Sequence, residues 1–177
     1  MKNKSQQEST RRMYLITLIR IGIIIAIIFP SLFNRNDRPR LLEVKPYLGA
    51  MIVGQKHYFL ENNTFTDDIE KLVGIGMKNE TNYYRYSIQV NDNAVFNYGI
   101  ARSDVYRTEY IFWFIPWRVK VKLKSYVGGV FLVPATQVDA NPIATILCET
   151  NSPSTTKPAQ PTYKDGVLAC GEGTKEI

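Results

Sequence analysis

The chain has 177 residues, enough for one domain with an anchoring segment but not for two comfortable domains. Hydrophobic residues make up 45% and charged residues 21%, a globular composition that excludes wholesale disorder. The net charge of +6 lies entirely in residues 1–45, since residues 46–177 carry 13 basic and 13 acidic groups. A nucleic-acid reader would carry its excess on the folded domain, so no nucleic-acid partner is expected.

Lys2, Lys4, Arg11 and Arg12 precede an apolar run over residues 13–33. As a helix this run would span roughly 31 Å at about 1.5 Å per residue, close to the thickness of a bilayer core. Arg20 interrupts it, at a cost of about 2.5–3.5 kcal/mol near a helix centre, and its stem can snorkel toward Arg11 and Arg12. A cleaved signal would need small residues where Phe29-Pro30-Ser31-Leu32 stand. A buried helix of a globular domain would not be isoleucine-rich on every face. The expectation is an uncleaved, single-pass anchor. Basic residues flank the run on both sides, so charge does not orient it.

Residues 34–40 form a polar connector, and Pro30, Pro39 and Pro46 each break the helical ladder where helix continues. From Tyr47 a helical pattern resumes, with Leu48, Ile52 and Phe59 on one face, and it should end near Asn62-Asn63. Asp67 with Glu70 reads as a capping pair for one short helix, stopped by Gly74 and Gly76. The period then changes. Residues 84–90 alternate as a strand, Asn91-Asp92-Asn93 turn, and residues 94–100 form a second strand. Residues 118–124 alternate basic and apolar. Residues 127–133 are an apolar strand in which Gly128-Gly129 signal a bulge or a close backbone approach. Residues 143–148 form a last short strand, and the Ser/Thr/Pro-rich residues 151–161 are a loop. The fold class is α+β.

Cys148 and Cys170 are the two cysteines and enclose that loop. Either could be a small buried apolar thiol. A bridge has the better mechanical rationale, because the loop has little apolar content to hold it down and closing it is worth about 3 kcal/mol. Disulfides persist in oxidising compartments, so a bridge would favour the C-terminal part lying outside the cytoplasm.

The residues resemble a known group. Gly22 and Pro30 in the apolar helix, Leu60-Glu61-Asn62 and Phe65 beyond it, and the run Lys124-Ser125-Tyr126-Val127-Gly128-Gly129-Val130-Phe131-Leu132-Val133-Pro134 carry the resemblance. So do Ile146-Leu147-Cys148-Glu149-Thr150-Asn151-Ser152-Pro153, Lys157-Pro158-Ala159 and Cys170-Gly171. Together they are similar to the type IV pilin-like proteins of cyanobacteria, related to general secretion pathway protein H. The resemblance implies a long N-terminal membrane helix packed on a small, four-stranded antiparallel sheet, and a C-terminal loop closed by Cys148 and Cys170. It implies a structural, non-enzymatic role in a pilus or secretion pseudopilus, with the membrane and other pilins or assembly proteins as partners and no cofactor. The expected layout is residues 1–12 cytoplasmic, 13–33 transmembrane, 34–46 connector and 47–177 an extracytoplasmic domain, in the inner (plasma) membrane with the domain periplasmic or at the cell surface.

Two departures from the group's pattern stand out. Pilin precursors carry a Gly-Phe-Thr-Leu-Ile-Glu type signal. Counted back from Pro30, its glycine falls on Glu8, its aromatic on Ser9 and its glutamate on Met13. Residues 103–121 look like an insertion that holds both tryptophans. Tyr110, Phe112, Trp113, Phe114 and Trp117, with the cations Arg118, Lys120, Lys122 and Lys124, are the candidate membrane or partner contact. The alternative function is therefore a membrane-tethered module binding lipid, glycan or nucleic acid on this scaffold.

No constellation for catalysis emerges. Asp92 with Asp104, Glu61 with Asp67, and Asp67 with Asp68 read as surface charge in turns, and His57 is the chain's one histidine. The sequons at Asn62 and Asn79 are read as idle.

Overall fold

The computed structural model describes residues 3–33, 43–73, 78–111, 115–133 and 142–177. The chain divides into two units, Met1–Arg38 with Thr108–Val119, and Pro39–Arg107 with Lys120–Ile177.

In the first unit, helix α1 spans Asn3–Phe33, ten residues more toward the N-terminus than the apolar run itself, and continues through Pro30. Thr17 spends its hydroxyl internally, donating to the Met13 carbonyl at 2.9 Å. Residues 10–25 are all exposed, and large apolar side chains such as Tyr14, Leu18 and Ile19 are about three-fifths bare. Among the described residues no helix is long and apolar enough to cross a membrane. The described side chains of α1 end at Ile25, so residues 26–33 of the expected span lie outside them.

In the second unit, helix α2 spans Val44–Asn62. It begins three residues before Tyr47 because Pro46 falls in the first turn, where no intrahelical partner is needed for its missing N–H. It stops at Asn63, whose left-handed backbone (φ 55) returns its N–H to the Phe59 carbonyl at 2.8 Å. Helix α3 spans Ile69–Val73. Its cap is Asp68 rather than Asp67: Asp68 Oδ1 accepts the Glu70 N–H at 3.0 Å. Gly74 and Gly76 lie outside the described residues, as does Pro39.

The strands are β1 (Tyr84–Asn91), β2 (Ala94–Ala101), β3 (Tyr106–Ile111), β4 (Ile115–Lys120), β5 (Tyr126–Leu132), β6 (Ile143–Thr150), β7 (Thr162–Lys164), β8 (Val167–Ala169) and β9 (Thr174–Glu176). Five of them form one antiparallel sheet in the order β1-β2-β5-β6-β9, one strand more than the resemblance implies. β3 pairs with β4, and β7 with β8, as separate two-stranded sheets.

Period-two alternation gives the five-stranded sheet two buried faces. On one, α2 lays Val44, Leu48, Met51 and Ile52 against Tyr84, Tyr86, Val95, Tyr126 and Val130. Within this unit α2 is the helix packed on the sheet. The other face gathers Phe96, Tyr98, Val127, Phe131, Ile146 and Cys148 under the C-terminal segment. The register runs unbroken through Gly128 and Gly129, which excludes a bulge there. Both glycines serve close approach instead. A Cβ on Gly128 would lie 2.7 Å from Ile52 Cδ1 on the helix face, and one on Gly129 would lie 2.8 Å from Pro161 Cγ on the other.

Candidate interaction surfaces

The aromatic insertion folds into the β3–β4 hairpin. Phe112, Trp113 and Phe114 lie outside the described residues, and so does the side chain of Tyr110 in β3. Trp117 is 59% exposed, and Ile115, Pro116, Arg118 and Lys120 are exposed with it, so β4 is bare on both faces except at half-buried Val119. The expected strand over residues 118–124 is thus shifted. It begins at Ile115 and ends at Lys120, because beyond that point the backbone bonds elsewhere. Val121 N–H donates to the Val105 carbonyl at 2.9 Å, and the Leu123 carbonyl accepts the Ser154 N–H at 2.9 Å.

Lys122 is exposed, but Lys124 is not a bare cation. Its Nζ lies 2.9 Å from Glu149 Oε1, and Lys175 Nζ lies 3.4 Å from the same oxygen. The strand register that sets Tyr126 opposite Glu149 puts this triad at the end of the sheet. Burial pushes the Glu149 carboxyl up, but the Lys124 hydrogen bond and the two ammonium charges outweigh it and hold it below the usual carboxylate range. A second cluster centres on Arg102. Its Nε and Nη2 grip Asp104 at 2.9 and 2.7 Å, and Nη1 also meets Glu80. The Arg102 hydrogen bonds hold Asp104 at about 2.

Both carboxylates titrate below their unfolded values near 4, so their contribution is complete above that pH and disappears as the pH falls through the depressed range. The melting temperature of the domain should be flat from about pH 7 to 5 and fall between about pH 4 and 2. Glu149→Gln should melt lower at neutral pH and show a shallower acid limb, which a pH series of thermal melts checks.

Cys148 and Cys170 are bridged, with their Cα atoms 5.8 Å apart. Ser125, fully buried, ties the neighbouring segments together: its Oγ accepts the Ala101 N–H at 3.0 Å and donates to the Ser154 carbonyl at 2.6 Å. Gln55, also fully buried, was not foreseen as a structural residue. Its amide donates to the Thr66 carbonyl at 2.6 Å and accepts the Thr66 N–H at 3.2 Å, fixing the loop after α2. A polar residue inside the apolar pattern of α2 was the one available signal.

For chemistry there is little to assemble. His57 is exposed, Asp104 is committed to Arg102, and Asp68 caps α3. Among the described residues no group of three or more His, Cys, Asp or Glu is placed to hold a metal ion. Burial pushes the Tyr84 and Tyr86 hydroxyls far up, with nearby Glu43 adding to it, so neither ionises near neutrality.

The family profile described as type IV pilin-like G and H matches residues 42–171, most of the chain and nearly all of the second unit. The chain belongs to the type IV pilin-like G and H family. No match is found among curated proteins or among solved structures. As a pilin-like chain it combines a helix on an antiparallel sheet with a disulfide-closed C-terminal loop. Membership in this pilin-like family points to a pilin or pseudopilin type of role, structural rather than catalytic.

Proposed function

We propose that the chain is a non-enzymatic accessory component of a type IV pilus or type II secretion-like assembly. It is held by α1 as a single-pass anchor in the inner (plasma) membrane, with its first residues cytoplasmic and its folded domain periplasmic or at the cell surface. The family match over residues 42–171 carries the reading. The bare apolar side chains along α1 support the anchor, since patches of that extent are rarely left to water. The disulfide supports an oxidising compartment. Its partners are the membrane and other pilins or assembly proteins.

An accessory place fits the N-terminal residues better than a major-subunit place. Glu8 is charged and bulky where the processing enzyme of pilins takes a small residue, and Met13 stands where the group carries glutamate. Arg20 would be buried without an evident partner among packed apolar helices, which is costly. Sequencing of the mature N-terminus is expected to find residues 1–12 retained. A mature protein beginning at Ser9 with a methylated amine, recovered in sheared filaments, would overturn the accessory reading.

The second reading, a membrane-tethered binding module, is favoured by one observation: Trp117 and Lys120 stand exposed on β4, a pattern suited to lipid headgroups.

A further inference from the structure

We propose that residues 151–173 are a separable layer over one face of the sheet, latched by the Cys148–Cys170 bridge. Thiol–disulfide exchange at Cys170 opens this layer while the α2–sheet core stays folded.

The segment covers the face built from Phe96, Tyr98, Phe131 and Ile146. Lys157 Nζ sits 4.1 Å above the Tyr98 ring, the Tyr163 ring lies 6.2 Å from that of Phe131, and Pro161 rests on Gly129. Among the described residues its other ties are few. Ser154 bonds the Leu123 carbonyl and Ser125 Oγ, Lys157 Nζ donates to Gln89 Oε1 at 2.6 Å, and the Gly171 carbonyl accepts the Thr174 N–H at 3.1 Å and its hydroxyl at 2.6 Å. β7 and β8 pair with each other and add no strand to the five-stranded sheet. The layer therefore has little backbone ladder to the sheet, and the covalent bridge, which closes a separation of 22 residues, is its strongest tie.

The opposite face is built without it. The two clusters under α2 draw their buried side chains from Val44 through Ile143 and take none from residues 151–173. Opening one face thus leaves the packing of the other in place, as expected of a local unfolding unit.

The two sulfurs differ in access. Cys148 is fully buried among apolar side chains, whereas Cys170 is only partly buried. A thiolate of a dithiol reductase attacks Cys170 Sγ, and the Cys148 Sγ–Cys170 Sγ bond breaks. Cys148 leaves as a thiolate and takes a proton. The second thiol of the dithiol then attacks the mixed disulfide, releasing the Cys170 thiol and leaving the dithiol oxidised to its own disulfide. Because the first leaving group is formed in an apolar cluster, exchange is slow in the closed state and the latch holds against weak reductants.

The test is segment-resolved hydrogen exchange of the full chain in detergent micelles, oxidised and then reduced with dithiothreitol. Exchange across residues 151–169 is expected to quicken on the order of 100-fold, while α2, β1, β2 and β5 change by less than about threefold. The Cys148→Ser/Cys170→Ser double variant should show the same map without reductant. Uniform loss of protection in α2 and the sheet would overturn the proposal, as would no change at residues 151–169. Glutathione followed by alkylation identifies the attacked sulfur. A mixed disulfide on Cys170 is expected, and one on Cys148 would contradict the assigned direction.

Discussion

Gly128→Val is expected to lower the melting temperature of the domain by about 10 °C, corresponding to about 3 kcal/mol of overpacking. The position lies on the central strand β5, where α2 comes closest to the sheet. A Cβ there would stand 2.7 Å from Ile52 Cδ1 and 3.0 Å from Ile52 Cγ1, and the two extra methyl groups of valine have nowhere to go. Gly99 on β2 makes the same seam about two turns earlier along α2, with Val44 Cγ2 2.5 Å from the Cβ position, so Gly99→Val should cost a similar amount. Gly49 is the control. It lies within α2 with nothing within 4 Å of a Cβ, and Gly49→Ala should stabilise by about 0.5–1 kcal/mol through the unfolded chain. Thermal melts followed by circular dichroism separate the three. Equal effects at Gly128 and Gly49 would mean that the seam is not tightly packed.

Gln55→Leu should cost about 3 kcal/mol, although leucine fills a similar volume, because it strands two buried backbone groups at about 1–3 kcal/mol each. Those groups are the Thr66 carbonyl and N–H, both bound by the Gln55 amide. Thr66 is itself buried, and its loop brings Phe65 and Ile69 onto the core. Gln55→Glu keeps the acceptor for the N–H; protonated, its O–H can still donate to the carbonyl and the cost should be small, whereas ionised it loses that donor and the cost should rise toward that of leucine. Urea titration reads the difference as a lower midpoint at unchanged slope. A neutral Gln55→Leu would mean that the loop after α2 is held by its apolar contacts alone.

Much of the second unit was legible in the residues. The i, i+4 spacing of Leu48 and Ile52 marked α2 and its buried face, and alternation on either side of Asn91-Asp92-Asn93 marked the β1–β2 hairpin. The pairing of Cys148 with Cys170 was favoured on mechanical grounds and is present. What escaped was either too short or set at a distance. β7, β8 and β9 have three residues each, too few for a period to register. The two-residue turn between β7 and β8 did leave a signal, Asp165-Gly166, both with positive φ. β3 went unmarked because the described residues of its hairpin form no buried face to impose alternation. Lys124 looked like part of a basic face because its partner Glu149 is 25 residues away and reaches it only through the β5–β6 register. Likewise Asn97 sits fully buried in the middle of β2, a polar residue that no strand pattern would place there.

The assembly role is tested most directly by affinity purification of the full chain from its native membranes after mild cross-linking, with identification of every cross-linked protein by mass spectrometry. The expected result is a protein that stays with the bilayer through an alkaline wash and carries cross-links to other pilin-like subunits or to pilus or secretion assembly proteins. A protein that washes off the membrane, or that stays there with no such partner, would contradict a role in a pilus or secretion assembly.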